Sequence, residues 1–282
     1  MKRLITPITL CLVAIAASAQ QKADIEVSYT EYQPDMRTGK IGDVTHNYIL
    51  MANAGGSKFY SPRTEYIDSL NSTPDGKAKY QEMTRAAYLG GKWDEIPSAD
   101  GRYYVVKSGA DNKFIYYDKA GTERFFYEED IPVQKWEVSD STKNILGYEC
   151  FKATTDFHGR KWTVWFTPEI PVVAGPWKLE GVPGLILEAD ADGGQYRFEA
   201  KGIQQTDRII TPIYLANEYE KTDRIKFLKA NRSFNDNPIG SINAQLGGKG
   251  ISISRVKDQN GEDVSDRLFV PRETIDFIET DY

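Results

Sequence analysis

Apolar and polar positions alternate along most of this chain. Ile25, Val27 and Tyr29 stand against Glu26, Ser28 and Thr30, the period-two mark of a strand with one wet face. The pattern resumes in Asp43–Ala52, Arg102–Lys107, Lys113–Asp118, Thr122–Tyr127 and Lys135–Val138. It returns cleanly in Gln195–Ile203, where Tyr196, Phe198 and Ala200 oppose Arg197, Glu199 and Lys201. Short Gly-, Asp- and Asn-containing breaks separate these runs, which predicts a meander of hairpins. Two runs differ because both of their faces are apolar. Ile145–Thr154 carries Leu146, Tyr148 and Cys150 on one side and Ile145, Phe151 and Ala153 on the other. Arg160–Thr167 places Trp162, Val164 and Phe166 on one face and Thr163, Trp165 and Thr167 on the opposite one. Joined by Asp156-Phe157-His158-Gly159, they predict a hairpin in the middle of the sheet, covered on both sides.

Two helices interrupt the strands. Thr64–Asn71 has helical spacing, and Thr73–Leu89 has Thr73 to cap it, Pro74 for its first turn and Gly90-Gly91 to stop it. Pro168–Gly184 holds three prolines besides Pro168 and three glycines across its length. Proline cannot donate to a ladder and glycine opens positive φ, so a shaped loop is expected, feeding a strand at Leu185–Ala189. Ile209–Tyr214 reads as a further strand, Leu215–Arg232 as helical, and Ser233–Gly250 as a loop. Weak strand signals follow at Ile251–Ile253 and Leu268–Val270, in a tail expected to be poorly ordered. The predicted fold is mainly β: a curved antiparallel sheet or half-barrel with one or two inserted helices, by analogy with periplasmic lipoprotein carriers. A single β-rich domain over residues 20–232 and a loop-rich extension over 233–282 complete the division.

Composition changes the picture in three places. Lys2-Arg3, the apolar run Leu4–Ala16 and Ala17-Ser18-Ala19 form a signal-peptide pattern, with cleavage expected after Ala19 and a periplasmic or secreted product. No later run is long enough to span a bilayer as a helix. The net charge is −6, and it becomes more negative once Lys2 and Arg3 are removed. That balance argues against nucleic acid, whose phosphates need a basic surface. Of the two cysteines, Cys11 lies in the leader, so Cys150 stands alone and reads as a small buried hydrophobe.

Candidate chemistry is sparse. The two histidines, His46 and His158, neighbour no second ligand at metal spacing, so no metal and no cofactor are expected. His158 reads as a surface turn residue, and the carboxylates of Glu128-Glu129-Asp130 as solvated. No ionisable cluster is expected beside the aromatic hairpin. No serine sits in a nucleophile elbow and no cysteine has a catalytic surround. The aromatic side chains carry the stronger signal: Tyr148, Trp162, Trp165 and Trp177 either fill the core or line a concave apolar site.

Gly181-Val182-Pro183-Gly184-Leu185-Ile186 resembles the signature hexapeptide of the GLPGLI family of secreted bacterial envelope proteins. Ile145–Cys150, Gly159-Arg160, Trp165-Phe166-Thr167 and Gly175-Pro176 extend that resemblance over roughly Trp136–Tyr196, and Asn237-Pro238-Ile239 resembles a downstream element. It implies an envelope address and assigns no reaction. The expected function is non-enzymatic binding of an apolar ligand or an envelope partner through the half-barrel. The alternatives are an envelope hydrolase using Cys150 or His158, and a structural interaction module of an outer-membrane complex.

Overall fold

The computed structural model describes residues 21–34, 44–191, 193–247, 252–255, 257, 261–263 and 277–282. The expected leader, and the strand signal at Leu268–Val270, lie outside these residues. In chain order the strands are β1 (Ile25–Gln33), β2 (Val44–Asn53), β3 (Gly56–Tyr60), β4 (Tyr104–Ser108), β5 (Lys113–Ala120) and β6 (Glu123–Asp130). They continue as β7 (Glu137–Ile145), β8 (Tyr148–Phe157), β9 (Arg160–Thr167), β10 (Leu185–Ala191), β11 (Tyr196–Gln205) and β12 (Glu220–Lys221). The helices are α1 (Pro62–Asn71), α2 (Pro74–Leu89), α3 (Arg224–Asp236) and α4 (Pro238–Gly247).

All twelve strands form one sheet in the order β12-β6-β5-β4-β3-β2-β1-β11-β10-β9-β8-β7. Pairing is antiparallel throughout except for the two residues of β12, which run parallel to β6. The sheet is mainly β, open and strongly curved, as its pattern predicts. Phe59 on β3 and Phe198 on β11 meet with ring centroids 6.0 Å apart, although β2 and β1 lie between those strands. On a flat sheet three strand spacings would part them by about 14 Å. The face that brings these rings together is therefore the concave one.

The main core sits on that concave face. Val27, Tyr29, Phe59, Trp162, Val164 and Phe198 point into it from alternate positions of their strands. The Gly/Pro-rich connection between β9 and β10 folds over the same face and buries Trp177, Leu179 and Val182. Tyr29 donates its hydroxyl to the Ile186 carbonyl at 2.6 Å, tying β1 to the start of β10. Gly184 makes the crossing possible: its φ is +141°, and a Cβ there would lie 2.1 Å from the Thr167 carbonyl oxygen.

A smaller core on the convex face gathers Ala23, Met51, Tyr60 and Tyr104. Helix α1 lies here, with Ser61 as its cap and Pro62 opening its first turn. Lys58 is buried under it, ion-paired with Glu65 and donating to the Thr211 carbonyl at 2.9 Å. Tyr104 donates to Asp68 of α1 at 2.7 Å. Helix α2 is capped by Thr73 as expected, and buries only Ala87.

Several expectations need correction. The β8–β9 hairpin is not the middle of the sheet: β9 is third from one edge, and β3, β2 and β1 hold the centre. Its second apolar face arises because Trp165 turns outward, where the Lys143 ammonium lies 4.5 Å from its ring centroid. Ile209–Tyr214 forms no strand; its only pairing is an isolated bridge from Ile209 to Lys22, and Thr211 is occupied by Lys58. Helix α3 starts later than expected, at the Asp223 cap, and α3 and α4 replace most of the loop expected over 233–250. Asp223 accepts from the amides of Ile225 and Lys226, which fixes the start. Among the described residues Ile253 belongs to no strand; it exchanges hydrogen bonds with the Asn243 side chain. Phe277–Tyr282 is docked: Thr280 donates to the His158 carbonyl at 3.0 Å, and Phe277 and Glu279 are buried. Among the described residues no helix is long and apolar enough to cross a membrane.

Candidate functional site

Alternation puts every second side chain of β2, β5 and β6 on the concave face, and on neighbouring strands these positions lie side by side. Here they hold Tyr48, Tyr116 and Tyr127, with Tyr103 joining from the residue before β4. The four rings stack into a row. Centroids are 4.9 Å apart for Tyr48 and Tyr103, 5.5 Å for Tyr103 and Tyr116, and 5.0 Å for Tyr116 and Tyr127. Stacked rings leave their hydroxyls at the edge of the row.

Three of those hydroxyls meet carboxyl groups. Tyr103 donates to Glu31 Oε1 at 2.9 Å, Tyr116 to Asp118 Oδ2 at 3.4 Å and Tyr127 to Glu279 Oε1 at 3.2 Å. The fourth, Tyr48, is buried without a hydrogen-bond partner among the described residues. Glu31 Oε2 is likewise buried and unpartnered. Both atoms belong to residues lining one cavity of about 260 Å³, walled also by His46, Arg102, Tyr196 and Asn231. Gly101 belongs to this wall. Its φ is +63°, and a Cβ there would lie 2.5 Å from the Tyr48 hydroxyl.

The cavity's electrostatics follow from burial. Glu31 is 1% exposed, and desolvation pushes its carboxyl up to about 8. The Tyr103 hydrogen bond and Arg102 pull the other way without prevailing. Asp118 is raised by the same burial, opposed chiefly by Arg102. Arg102 in turn is held protonated mainly by Asp118. The Arg102 side chain is exposed and lines the cavity. At neutral pH Glu31 is thus largely uncharged. His46 Nδ1 lies 2.6 Å from Asp100 Oδ1, and its Nε2 2.8 Å from Gln33 Nε2.

A second ionic group adjoins the row at Tyr127. Lys178, fully buried, lies 2.7 Å from Glu129 and 2.8 Å from Glu279. Arg224, at the start of α3, bonds Glu279 and Asp281, and its Nη2 lies 2.8 Å from His158 Nδ1. Burial alone would raise the Glu279 carboxyl; Lys178, then His158 and Arg224, overcome it and hold it down to about 2. Glu129 is held below the usual carboxylate range in the same way, by His158 and Lys178 against its own burial. His158, Glu279 and Asp281 place ligand-type atoms within 4.8 Å of one another. The Arg224 guanidinium already supplies the positive charge among them, which makes this a structural ion network. His158 is therefore not the surface turn residue the sequence suggests, and a knot of charges does stand beside the hairpin.

The aromatic candidates are split up. Trp162 and Trp177 stack at 5.5 Å and are both buried in the core. Trp165 lies on the convex side, and Tyr148 lines a separate groove with Ile170, Pro171 and Val172. None of the four lines the tyrosine cavity. Cys150 is fully buried, and burial pushes its thiol up to about 11; its sulfur lies 3.6 Å from the Tyr148 carbonyl. Its contacts include no histidine. Sequence reasoning missed Glu31, although a signal existed. It falls in phase with Ile25, Val27 and Tyr29, an acid on the apolar side of an alternating strand.

Residues 103–228 match the family model described as N-glycanase peptide, N-terminal domain. Two solved structures of PNGF-II, in the P21 and C2 space groups, each superpose with a TM-score of 0.48, at 18% and 16% identity. The alignments cover 73% and 75% of this chain and 32% and 33% of those chains, so this chain spans about a third of their length. No curated protein matches the chain. Gly181–Ile186 falls inside the matched stretch, so the resemblance to the GLPGLI family is corrected: the likeness at family level is to the N-terminal domain of an N-glycanase.

Proposed function

We propose that this chain is an exported binding domain whose concave cavity holds a neutral sugar ring. One observation carries the reading. Glu31 Oε2 and the Tyr48 hydroxyl are buried, unpartnered and on residues of the same cavity wall. Unpaired buried polar groups cost about 1–3 kcal/mol each, so an occupant that hydrogen-bonds both is favoured over an apolar one. The other polar lining groups suit the same occupant, since the Tyr103 and Tyr116 hydroxyls, the Gln33 and Asn231 amides and the Arg102 guanidinium offer donors and acceptors to ring hydroxyls. A cavity of about 260 Å³ lies just below the usual range of small-molecule sites, roughly 300–1,000 Å³, and suits one ring. The match to an N-glycanase domain supports a role in handling glycans. Export rests on the leader pattern of residues 1–19.

The apolar-ligand version finds less support, because Trp162 and Trp177 are spent on packing each other. Ligand-observed NMR with neutral mono- and disaccharides, and with laurate as the apolar probe, tests the reading. Saccharide signals are expected for the native protein and not for Ala99→Trp, which sets a large ring at an exposed position of the cavity lining. Binding of laurate alone, or saccharide signals that survive Ala99→Trp, would refute it.

A further inference from the structure

We infer that Glu31 works as a carboxylic acid that donates its Oε2 proton to an uncharged oxygen of the ligand, with the Tyr48 hydroxyl bonding alongside, so that the site admits neutral oxygen-bearing ligands and releases its ligand when that proton is lost. This deepens the sugar-binding reading and rests on it.

The hydrogen bonds assign the two carboxyl oxygens. Tyr103 donates to Oε1, so Oε1 acts as acceptor, the part a carbonyl oxygen plays in a protonated acid. Oε2 then carries the hydrogen, and it is the oxygen without a partner. A carboxylate there would leave a buried negative charge with one hydrogen bond and no cation of its own. Among the described residues no ion pair reaches it. From β2, facing β1, come His46, directly opposite Glu31 in register, and Tyr48. His46 is engaged by Asp100 and Gln33. From the approach to β4 come Asp100, Arg102 and Tyr103; from β5, Tyr116 and Asp118. From β11, where Phe198 pairs with Glu31, comes Tyr196, and Glu279 comes from the 277–282 segment. Helix α3 contributes Phe227, Leu228 and Asn231, all uncharged. Arg102 acts to ionise Glu31, and Asp118 and Asp100 act on it in the opposite sense. The Tyr103 hydroxyl also lies near that of Tyr48, but among the described residues the Tyr48 hydroxyl has no partner in hydrogen-bond geometry. A ligand hydroxyl or acetamido carbonyl fits between an acid donor and a hydroxyl that both donates and accepts.

Ionisation of Glu31 near pH 8 sets where the change falls. Calorimetric titration with N-acetylglucosamine, which does not titrate in this range, should show affinity steady from pH 6 to 7 and lower by about tenfold at pH 9. Glu31→Gln keeps a donor of similar shape; it should bind several-fold more weakly at pH 6 and show no change with pH. Tyr48→Phe should weaken binding while keeping the pH profile. A flat native profile, or an unchanged pH profile in Glu31→Gln, would overturn the inference and leave sugar binding standing. Absence of binding by both N-acetylglucosamine and glucose at every pH would overturn both.

Discussion

Tyr103 and Tyr48 stack at 4.9 Å on the concave face, yet only Tyr103 has a hydrogen-bond partner, Glu31 at 2.9 Å. The two hydroxyls should therefore respond in opposite ways to removal. Tyr103→Phe strips a buried carboxyl of its donor and should lower stability by about 1–2 kcal/mol. Tyr48→Phe removes a buried hydroxyl with nothing bonded to it, and should leave the free protein as stable or up to about 1 kcal/mol more stable. Urea unfolding of the two variants checks this; equal losses would mean that Tyr48 has a structural partner.

Glu31 makes stability depend on pH in a defined direction. Its carboxyl is raised in the folded state from an ordinary 4.5 to about 8, so between those values the folded chain binds the extra proton. Stability from this group is complete below pH 4.5 and falls as pH rises through 8. Glu31→Gln should be more stable than the native protein by a few kcal/mol at pH 9, and the difference should shrink toward pH 5. Denaturant titrations at pH 5, 7 and 9 measure it, and a constant difference would contradict the raised carboxyl.

Glu279 works in the opposite sense. Held down to about 2 in the folded state, it contributes stability that is present above pH 4.5 and is lost as pH falls toward 2. Glu279→Gln leaves the fully buried Lys178 with less opposing charge and should cost about 3–5 kcal/mol at pH 7. Its deficit should narrow below pH 4. The same variant should free Phe277–Tyr282, seen as faster amide exchange at Thr280, whose N–H now bonds the His158 carbonyl. Unchanged exchange at Thr280 would mean that the backbone bonds alone hold the segment.

Much of this architecture is written in alternation. The strands around Tyr29, Tyr116 and Phe198 announce themselves because one face of each is dry and the other wet. Sheet order is not written there. Apolar residues on both faces of β9 suggest a central strand, but a loop covering Trp162 on one side and Lys143 lying over Trp165 on the other give the same pattern near an edge. The ionic knot was illegible for a different reason. Glu129, His158, Lys178, Arg224 and Glu279 come from five separate stretches, and nothing local marks them as partners. Glu31 was legible in principle, as an acid in the apolar phase of β1.

Gly184 gives a test of the β9–β10 crossing. With φ at +141° and the Thr167 carbonyl 2.1 Å from where a Cβ would stand, Gly184→Ala requires the backbone to move. A loss of roughly 2–3 kcal/mol is expected by thermal or urea unfolding, with Gly193→Ala as a control that meets no neighbour, though its own φ is +80°. Equal effects at the two positions would mean that strain at positive φ, and not the close approach, sets the cost.

The central claim is that the tyrosine-lined cavity is where this protein meets its ligand. Backbone chemical-shift mapping during titration with N-acetylglucosamine at pH 6.5 tests it most directly. The account predicts that the amides of Gly101, Arg102 and Asn231 move together and saturate, and that Tyr48→Phe weakens the response five- to thirtyfold, about 1–2 kcal/mol. Shifts centred instead on Tyr148 and the Ile170–Val172 groove, or an undiminished response in Tyr48→Phe, would contradict it.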